Sequence, residues 1–475
     1  MPSGYVTLGP VRHGSLAKPP IGYVGKILRP IIFLTLSALL LFFLLRHLRT
    51  SSYKSDAFLV VNSYYQFVSD DLVGFQAIGF SRLRPLNATE SWFLILGDEK
   101  FPLEAQCIKR RCRLGEPCKW NDYRLKTTIP RTVDLDQAVY IQHNDDRVRI
   151  DITVKNPNRR IEGMDVCIAP LYYFNHWVRV IEFVEFYKMQ GASHMYIYVS
   201  SVSKTVHAML KYYQKQGVLT VVYWPELPKV DNEVHGRFRL GQEAAVNDCA
   251  LRSRAKFVVN GDMDDWFFIR DGNETLLEFV TRHVTEDPTI GSFQFFMLFT
   301  HQESRVGDLS DWKKINFNGL READICDTCN DSFKNIFVAD ASTRLNAHQV
   351  FFRRLPDQSG RNYTIYEVPR EVGRDFHVRF AMFKGWDKKD LYERRPLFPQ
   401  SVVDAISRGF DTAMEEFTKT HKNLTIPSTA QTMQDCNPFS NCMNPYKNCA
   451  RYMDHLDEWI FANNTEHAAV HDSSV

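Results

Sequence analysis

The chain has 475 residues, too many for one ordinary domain and enough for a targeting segment, a small accessory domain and a catalytic-sized domain. Its 58 basic and 56 acidic residues leave a formal charge of +2, so no global field selects nucleic acid or another polyanion as partner. The easily read ATPase, zincin, serine hydrolase and dinucleotide signatures (GxxxxGK[ST], HExxH, GxSxG, GxGxxG) are missing from it.

Residues 1–29 are basic and punctuated by Pro and Gly, with neither a helical nor a strand period. A short cytosolic tail is expected. Pro30–Leu45 (PIIFLTLSALLLFFLL) carries no charge and is bounded by Arg29 and by Arg46, His47 and Arg49. It reads as a transmembrane signal anchor over residues 30–48, near the lower limit of about 17 residues for a span. A cleaved signal peptide is the competing reading, but no small-x-small site follows Leu45. Arg12, Lys18, Lys26 and Arg29 precede the span without an acid among them, which keeps the N-terminus cytosolic. All 10 cysteines follow the span, as do the sequons at Asn87, Asn273, Asn330, Asn362, Asn423 and Asn463. Both distributions place the body of the protein in an oxidising lumen, with disulfides whose connectivity stays open.

Residues 49–160 form the expected lumenal stem and β-rich region. Short aromatic and β-branched runs (Ala57–Val61, Trp92–Leu96, Ala138–Gln142, Val148–Val154) alternate there with Pro, Asn, Asp and Gly. The catalytic domain is expected over residues 161–425. Val166–Ala169 reads as a strand stopped by Pro170, and Asn175–Gln190 as a helix capped by Asn175 and ended by Gly191. His194–Val199 is a buried strand, Ser203–Gln216 a helix closed by Gly217, and Val218–Trp224 a third strand. Arg237–Ala255 is a helix leading to the strand Lys256–Asn260 and to Gly261-Asp262-Met263-Asp264-Asp265. Such alternation predicts a mainly parallel sheet of an α/β fold. Ser292–Thr300, Asn335–Val338 and Gln349–Phe352 are weaker strand candidates. Residues 426–475 make a Cys-containing C-terminal extension with Cys436, Cys442 and Cys449.

Ligands of a parallel sheet bind outside the carboxyl ends of its strands, and the acids from Asp262 onward stand at such an end. A divalent cation held by one or two carboxylates there neutralises a departing diphosphate without proton transfer. The triplet Asp134-Leu135-Asp136 has no apolar strand leading into it and reads as a solvated turn. Cys326-x-x-Cys329 is half of a zinc or redox motif and reads as disulfide ends.

Cys167-Ile-Ala-Pro170, IEFVEFYKMQGASHMYIYV from Ile181 to Val199, and GQEAAVNDCALRSRAKFVVNGDMDD from Gly241 to Asp265 together resemble glycosyltransferase family 92 over Met164–Phe380. The resemblance implies an α/β, single Rossmann-like nucleotide-sugar transferase fold of the metal-dependent (GT-A) type, behind the transmembrane helix and small β-rich stem. It also implies a single-pass type II protein of the Golgi membrane that uses Mn2+ or another divalent cation. Its members transfer galactose from UDP-galactose, with inversion, to a glycan on a glycoprotein or glycolipid. Asp265 stands where the family commonly has Glu, and Met263 where an aliphatic residue is usual.

On this pattern Asp264 binds the metal, and Asp262 faces the ribose or reaches the metal through water. Asp265 is a further ligand or bonds the amides of its own turn. A late histidine is a further ligand: His377, in His377-Val378-Arg379, resembles the family's His-Tyr-Arg ending, and His348 is the alternative. Arg239 pairs with the diphosphate while Gln242 and Asp248 order the nucleotide, or else Arg239 caps or salt-bridges an acidic neighbour and Asn247 and Asp248 support the sheet. Tyr172 or Tyr173 stacks on the base or packs in the core. The carboxylate that deprotonates the acceptor hydroxyl is sought among Glu303, Asp308 and Asp311, the last beside Trp312, which could stack on an acceptor sugar. The rival reading is a catalytically silent, glycan-binding type II membrane protein of the same fold.

Overall fold

The computed structural model describes residues 58–82, 92–108, 120–156, 158–224, 241–270, 272, 274–301, 312–326, 332–346, 348–355, 360–379, 393–421, 458–462 and 468–470. The expected anchor at 30–48 and most of the Cys-containing extension lie outside these. Among the described residues no helix is long and apolar enough to cross a membrane.

The first strands are β1 (Phe58–Phe67), β2 (Leu72–Arg82), β3 (Trp92–Leu96), β4 (Glu99–Cys107), β5 (Trp120–Pro130), β6 (Val139–His143), β7 (Asp146–Ile150) and β8 (Val154–Asn156). Their β-branched and aromatic residues suit a pleated, half-buried surface. Phe58, Tyr65, Phe75, Leu94, Leu125 and Ile141 make a core with no exposed surface. β6 and β7 are joined through Asn144 in the left-handed region (φ 51°), which Asn tolerates better than most residues.

The α/β part follows as β9 (Ile161–Leu171), α1 (Trp177–Met189), β10 (Ala192–Val199), β11 (Ser201–Ser203), α2 (Lys204–Lys215), β12 (Leu219–Tyr223), α3 (Gln242–Arg252), β13 (Ala255–Gly261) and β14 (Asp265–Ile269). Then come α4 (Leu276–Glu286), β15 (Ile290–His301), α5 (Asn318–Arg321), β16 (Glu322–Cys326), β17 (Phe333–Val338), β18 (Ser342–Leu345), β19 (Val350–Phe352), β20 (Thr364–Glu367), β21 (Gly373–Arg379), β22 (Glu393–Pro396) and α6 (Gln400–Thr420). The short strands β23 (Trp459–Phe461) and β24 (Ala468–Val470) end the described chain.

Several local expectations are corrected. β9 runs through Pro170 rather than stopping before it: pairing with β13 is over after Ile168, and the ladder with β10 is irregular between Ile197 and Val199. A missing N–H is tolerated at such a break. Helix α1 starts one turn-position later than expected, with His176 and not Asn175 at its cap. The sheet is also not mainly parallel. β12, β10, β9 and β13 are parallel in that order, but β17 then joins β13 antiparallel and β15 joins β17 antiparallel. The result is a mixed sheet of 11 strands.

The expected helix Arg237–Ala255 is also shortened: α3 begins after Gly241, which is in the left-handed region (φ 74°), and ends at Arg252, while Ala255 already belongs to β13. Gly191 and Gly217 take positive φ (85° and 76°) just past α1 and α2, the left-handed step that ends a helix. Ser203 caps α2 by accepting from the Val206 N–H. Helix α6 lay in a stretch with no expected element, although Val402, Val403, Ile406, Phe410, Ala413 and Phe417 repeat at helical spacing and are buried. It covers α1, with the rings of Trp177 and Phe410 6.1 Å apart.

Candidate metal centre

β13 ends at Gly261, and a tight turn carries the chain into β14, closed by the Asp265 N–H on the Asp262 carbonyl at 3.0 Å. Two distant strands converge on this turn. β21 runs antiparallel to β14 with His377 opposite Asp265, and the Val378 N–H donates to the Asp264 carbonyl at 2.7 Å. β17, antiparallel to β13, pairs Asn335 with Asn260. That register sets Lys334 beside the end of β13, next to the acids.

His377 Nδ1 donates to Asp265 Oδ1 at 2.5 Å, and its Nε2 lies 3.5 Å from Asp264 Oδ2. Asp265 Oδ2 accepts from the Asp262 N–H at 2.7 Å and meets Lys334 Nζ at 2.9 Å. Lys334 also donates to Asp262 Oδ2 at 2.9 Å, while Gln242 Nε2 donates to Asp262 Oδ1 at 3.3 Å. Asp265 has no exposed surface and the Lys334 side chain only 2%, so this pair is removed from water. Burial pushes the Asp265 carboxyl up, but Lys334 and then His377 overcome it and hold it below the usual carboxylate range. Burial likewise pulls Lys334 down, and Asp262 and Asp265 reverse that, keeping the ammonium charged.

Asp264, Asp265 and His377 form a group able to hold a metal ion, with one donor atom of each within 4.8 Å of the others. The donor chemistry fits a divalent first-row cation. Within the group the roles divide. Cis ligands at about 2.1 Å on an octahedral ion lie about 3 Å apart, close to the Asp264–His377 separation. Both oxygens of Asp265 are already engaged, one by His377 itself. A carboxylate that accepts the other ring N–H of a ligating histidine fixes its tautomer and orientation, and that is where Asp265 sits.

Of the other residues singled out from the sequence, Gln242 reaches the site through Asp262. His348 lies within electrostatic range of Asp262 and Lys334, its imidazole pushed down by burial. Its Nδ1 donates to the Phe333 carbonyl at 2.9 Å, and no metal-holding group among the described residues includes it. Asp248 is six residues further along α3 than Gln242, about 9 Å at 1.5 Å per residue, and is fully buried. Its carboxylate accepts from Asn62 at 2.7 Å, Tyr64 at 2.5 Å and Tyr198, and pairs with Arg252 at 3.3 Å. Tyr172 is buried edge-on to Tyr173 with ring centroids 5.0 Å apart. Trp312 packs towards Phe410 at 6.5 Å. Arg239, Glu303, Asp308 and Asp311 lie outside the described residues. Asp134 accepts from the Asp136 N–H in an exposed turn.

Three residues of the site went unnoticed in the sequence. Lys334 had a signal: it is the one charge in the strand FKNIFV. His176, at the start of α1, has its imidazole pushed down to about 4 by burial and by Arg179, against the pull of Asp264. Asp375, two residues before His377 and so on the same face of β21, is fully buried. Burial first and Asp265 second push its carboxyl well up, favouring the neutral acid.

A Glycosyltransferase family 92 model matches residues 162–416. A beta-1,4-galactosyltransferase of Caenorhabditis elegans is 26% identical over 190 residues, 37% of this chain and 44% of that protein. Two glycosyltransferase family 92 proteins of the same nematode are 25% identical over 195 residues (39% of this chain, 37% of theirs) and 32% over 123 residues (24% of each). The chain thus spans less than half the length of these relatives.

Proposed function

The chain belongs to glycosyltransferase family 92, and from that premise we propose that it is a metal-dependent hexosyltransferase. It takes galactose from UDP-galactose and passes it, with inversion, to a glycan on a glycoprotein or glycolipid. The observation that carries this reading is the acidic turn at the carboxyl end of β13, with His377 Nε2 held 3.5 Å from Asp264 Oδ2. The galactosyl donor also draws support from the nematode galactosyltransferase. Four parallel strands followed by an antiparallel β17 beside the acidic turn support assignment to the GT-A type.

In this reading Asp264 and His377 hold a divalent cation and Asp265 orients His377. When bound, the cation neutralises charge growing on the departing diphosphate. Asp262, steadied by Gln242 at 3.3 Å, faces the nucleotide, with Arg239 and Tyr172 as further contacts. Asp248 keeps a supporting role through its buried partners. The base that takes the acceptor hydroxyl proton is Asp311 or Glu303. Both belong to the segment fed by β15, whose Phe299 is paired with His377. A type II Golgi protein with a lumenal catalytic domain is supported by the anchor-like Pro30–Leu45 and by the Cys167–Cys249 disulfide, a bond of oxidising compartments.

The test is transfer by the purified full chain with Mn2+ across a panel of UDP-sugars and defined glycans. Galactose transfer is expected. Asp264→Ala should lower it by about 100-fold or more, on the scale of losing one electrostatic stabiliser, and should lose Mn2+ binding at an unchanged melting temperature. Near-normal transfer by that variant sinks the metal assignment. Inactivity of the wild type with every donor, with glycan binding retained, would establish the silent binder instead.

A further inference from the structure

We propose that Lys334 withholds Asp262 and Asp265 from the metal, so that the site grips a divalent cation firmly only when a nucleoside diphosphate arrives to complete its coordination. The proposal rests on the transferase reading and specifies how its site loads. An account of the carboxylate oxygens leads to it. Asp265 Oδ1 is taken by His377, and Asp265 Oδ2 by the Asp262 N–H and Lys334. Asp262 Oδ2 is taken by Lys334 and Oδ1 by Gln242. Asp264 Oδ2 and His377 Nε2 are turned towards each other at 3.5 Å.

A hard cation of this class takes about six ligands, so two from the protein leave most positions to water and substrate oxygens. The ammonium also repels a nearby cation. Three carboxylates and one ammonium leave a net charge equal and opposite to one divalent ion. Lys334 cannot swing out to relieve this. Its side chain is 2% exposed, and β17 is clamped between β13 and β15, with Lys334 opposite Phe295 and Asn335 opposite Asn260. The antiparallel run of β17 brings its first residues to the carboxyl end of β13.

Lys334 is therefore a positioning residue, and the expected signature is a change in coupling rather than a loss of binding. Mn2+ is titrated into the purified full chain, followed by the electron-spin-resonance signal of the free ion, without and with saturating UDP. In the wild type UDP should tighten Mn2+ binding by about tenfold or more, within the ordinary range of coupling between two ligands. In Lys334→Met, Mn2+ without UDP should bind about tenfold tighter, and UDP should add less than about threefold. Unchanged or weaker Mn2+ binding by a folded Lys334→Met protein without UDP overturns the proposal. If that variant does not fold, Lys334→Met combined with Asp265→Asn removes both members of the buried pair, and the same loss of coupling is expected. Failure of both variants to fold leaves Lys334 a scaffold only and overturns the proposal. A wild type that binds no Mn2+ either with or without UDP overturns the transferase reading as well, whereas wild-type coupling that survives Lys334→Met overturns this inference alone.

Discussion

Asp265 shows how one residue can serve a metal site without touching the metal. It is buried, yet Lys334 and His377 hold its carboxyl below the usual range. A carboxyl with a folded-state pKa below its unfolded value of about 3.9 contributes stability that is full above that value and lost as pH falls. Without metal, the melting temperature should therefore drop more steeply between about pH 5 and pH 3 in the wild type than in Asp265→Asn. Parallel slopes would remove the linkage. Asp248 poses a different question, since α3 carries it into the core and not to the acidic turn. Asp248→Ala leaves Arg252 without its carboxylate and should cost about 3–5 kcal/mol in denaturant unfolding, with donor KM unchanged in the folded fraction. A raised KM at normal stability would restore Asp248 to the nucleotide. Asp134→Ala, in an exposed turn, should stay within about 0.5 kcal/mol.

At the scale of elements, the site is built on β13 and buttressed by its neighbours. β9 lies beside β13, and α3 supplies Gln242 to Asp262. The disulfide between Cys167 of β9 and Cys249 of α3 joins these two supports across 82 residues. Closing a loop of that length removes entropy from the unfolded chain worth about 4.5 kcal/mol in the chain-entropy model. Replacing both cysteines by serine should lower unfolding stability by about 2–5 kcal/mol and weaken Mn2+ binding less than Asp264→Ala does. An unchanged denaturant midpoint would show that β9 and α3 hold together without the bridge.

For the whole molecule, the β-rich region before residue 160 is fastened to the α/β part and does not hang from it. Asn62 and Tyr64 of β1 reach Asp248, Gln66 donates to the Leu251 carbonyl at 3.2 Å, and Phe80 packs on Trp224 at 6.3 Å. Arg344 returns to the Cys107 carbonyl at 3.2 Å, and Arg124 to that of Thr343. The C-terminus adds two straps, β24 on β1 and β23 on β11. Lys54–Val475 forms one compact unit. A chain trimmed to that unit should keep a single cooperative thermal transition. One beginning at Ile161 should lose it, because burial of Asp248 and Arg252 would then lack the β1 partners. A stable, cooperative 161–475 chain would make the first region a separable stem.

The strand and helix order from β9 to β13, apart from the short β11, was legible in the residues, as were the glycine-ended helices and the acidic turn after a buried strand, because each rests on periodicity or capping within a few positions. The exposed turn at Asp134 was read as such, although the strand β5 (Trp120–Pro130) does lead into it. How the acidic turn would be divided was not legible: His377 was reached only through the family resemblance, and Lys334 not at all. His377 joins Asp265 across 112 residues and Lys334 joins Asp262 across 72, and both meetings depend on the register of β21 on β14 and of β17 on β13. Register between distant strands is set by which faces pack together in the finished sheet, so no local pattern announces it. The sequence by itself determined where the carboxylates would be presented. Only the tertiary structure decided that a lysine and a histidine would divide them, because antiparallel strands from the second half of the chain bring both to the turn.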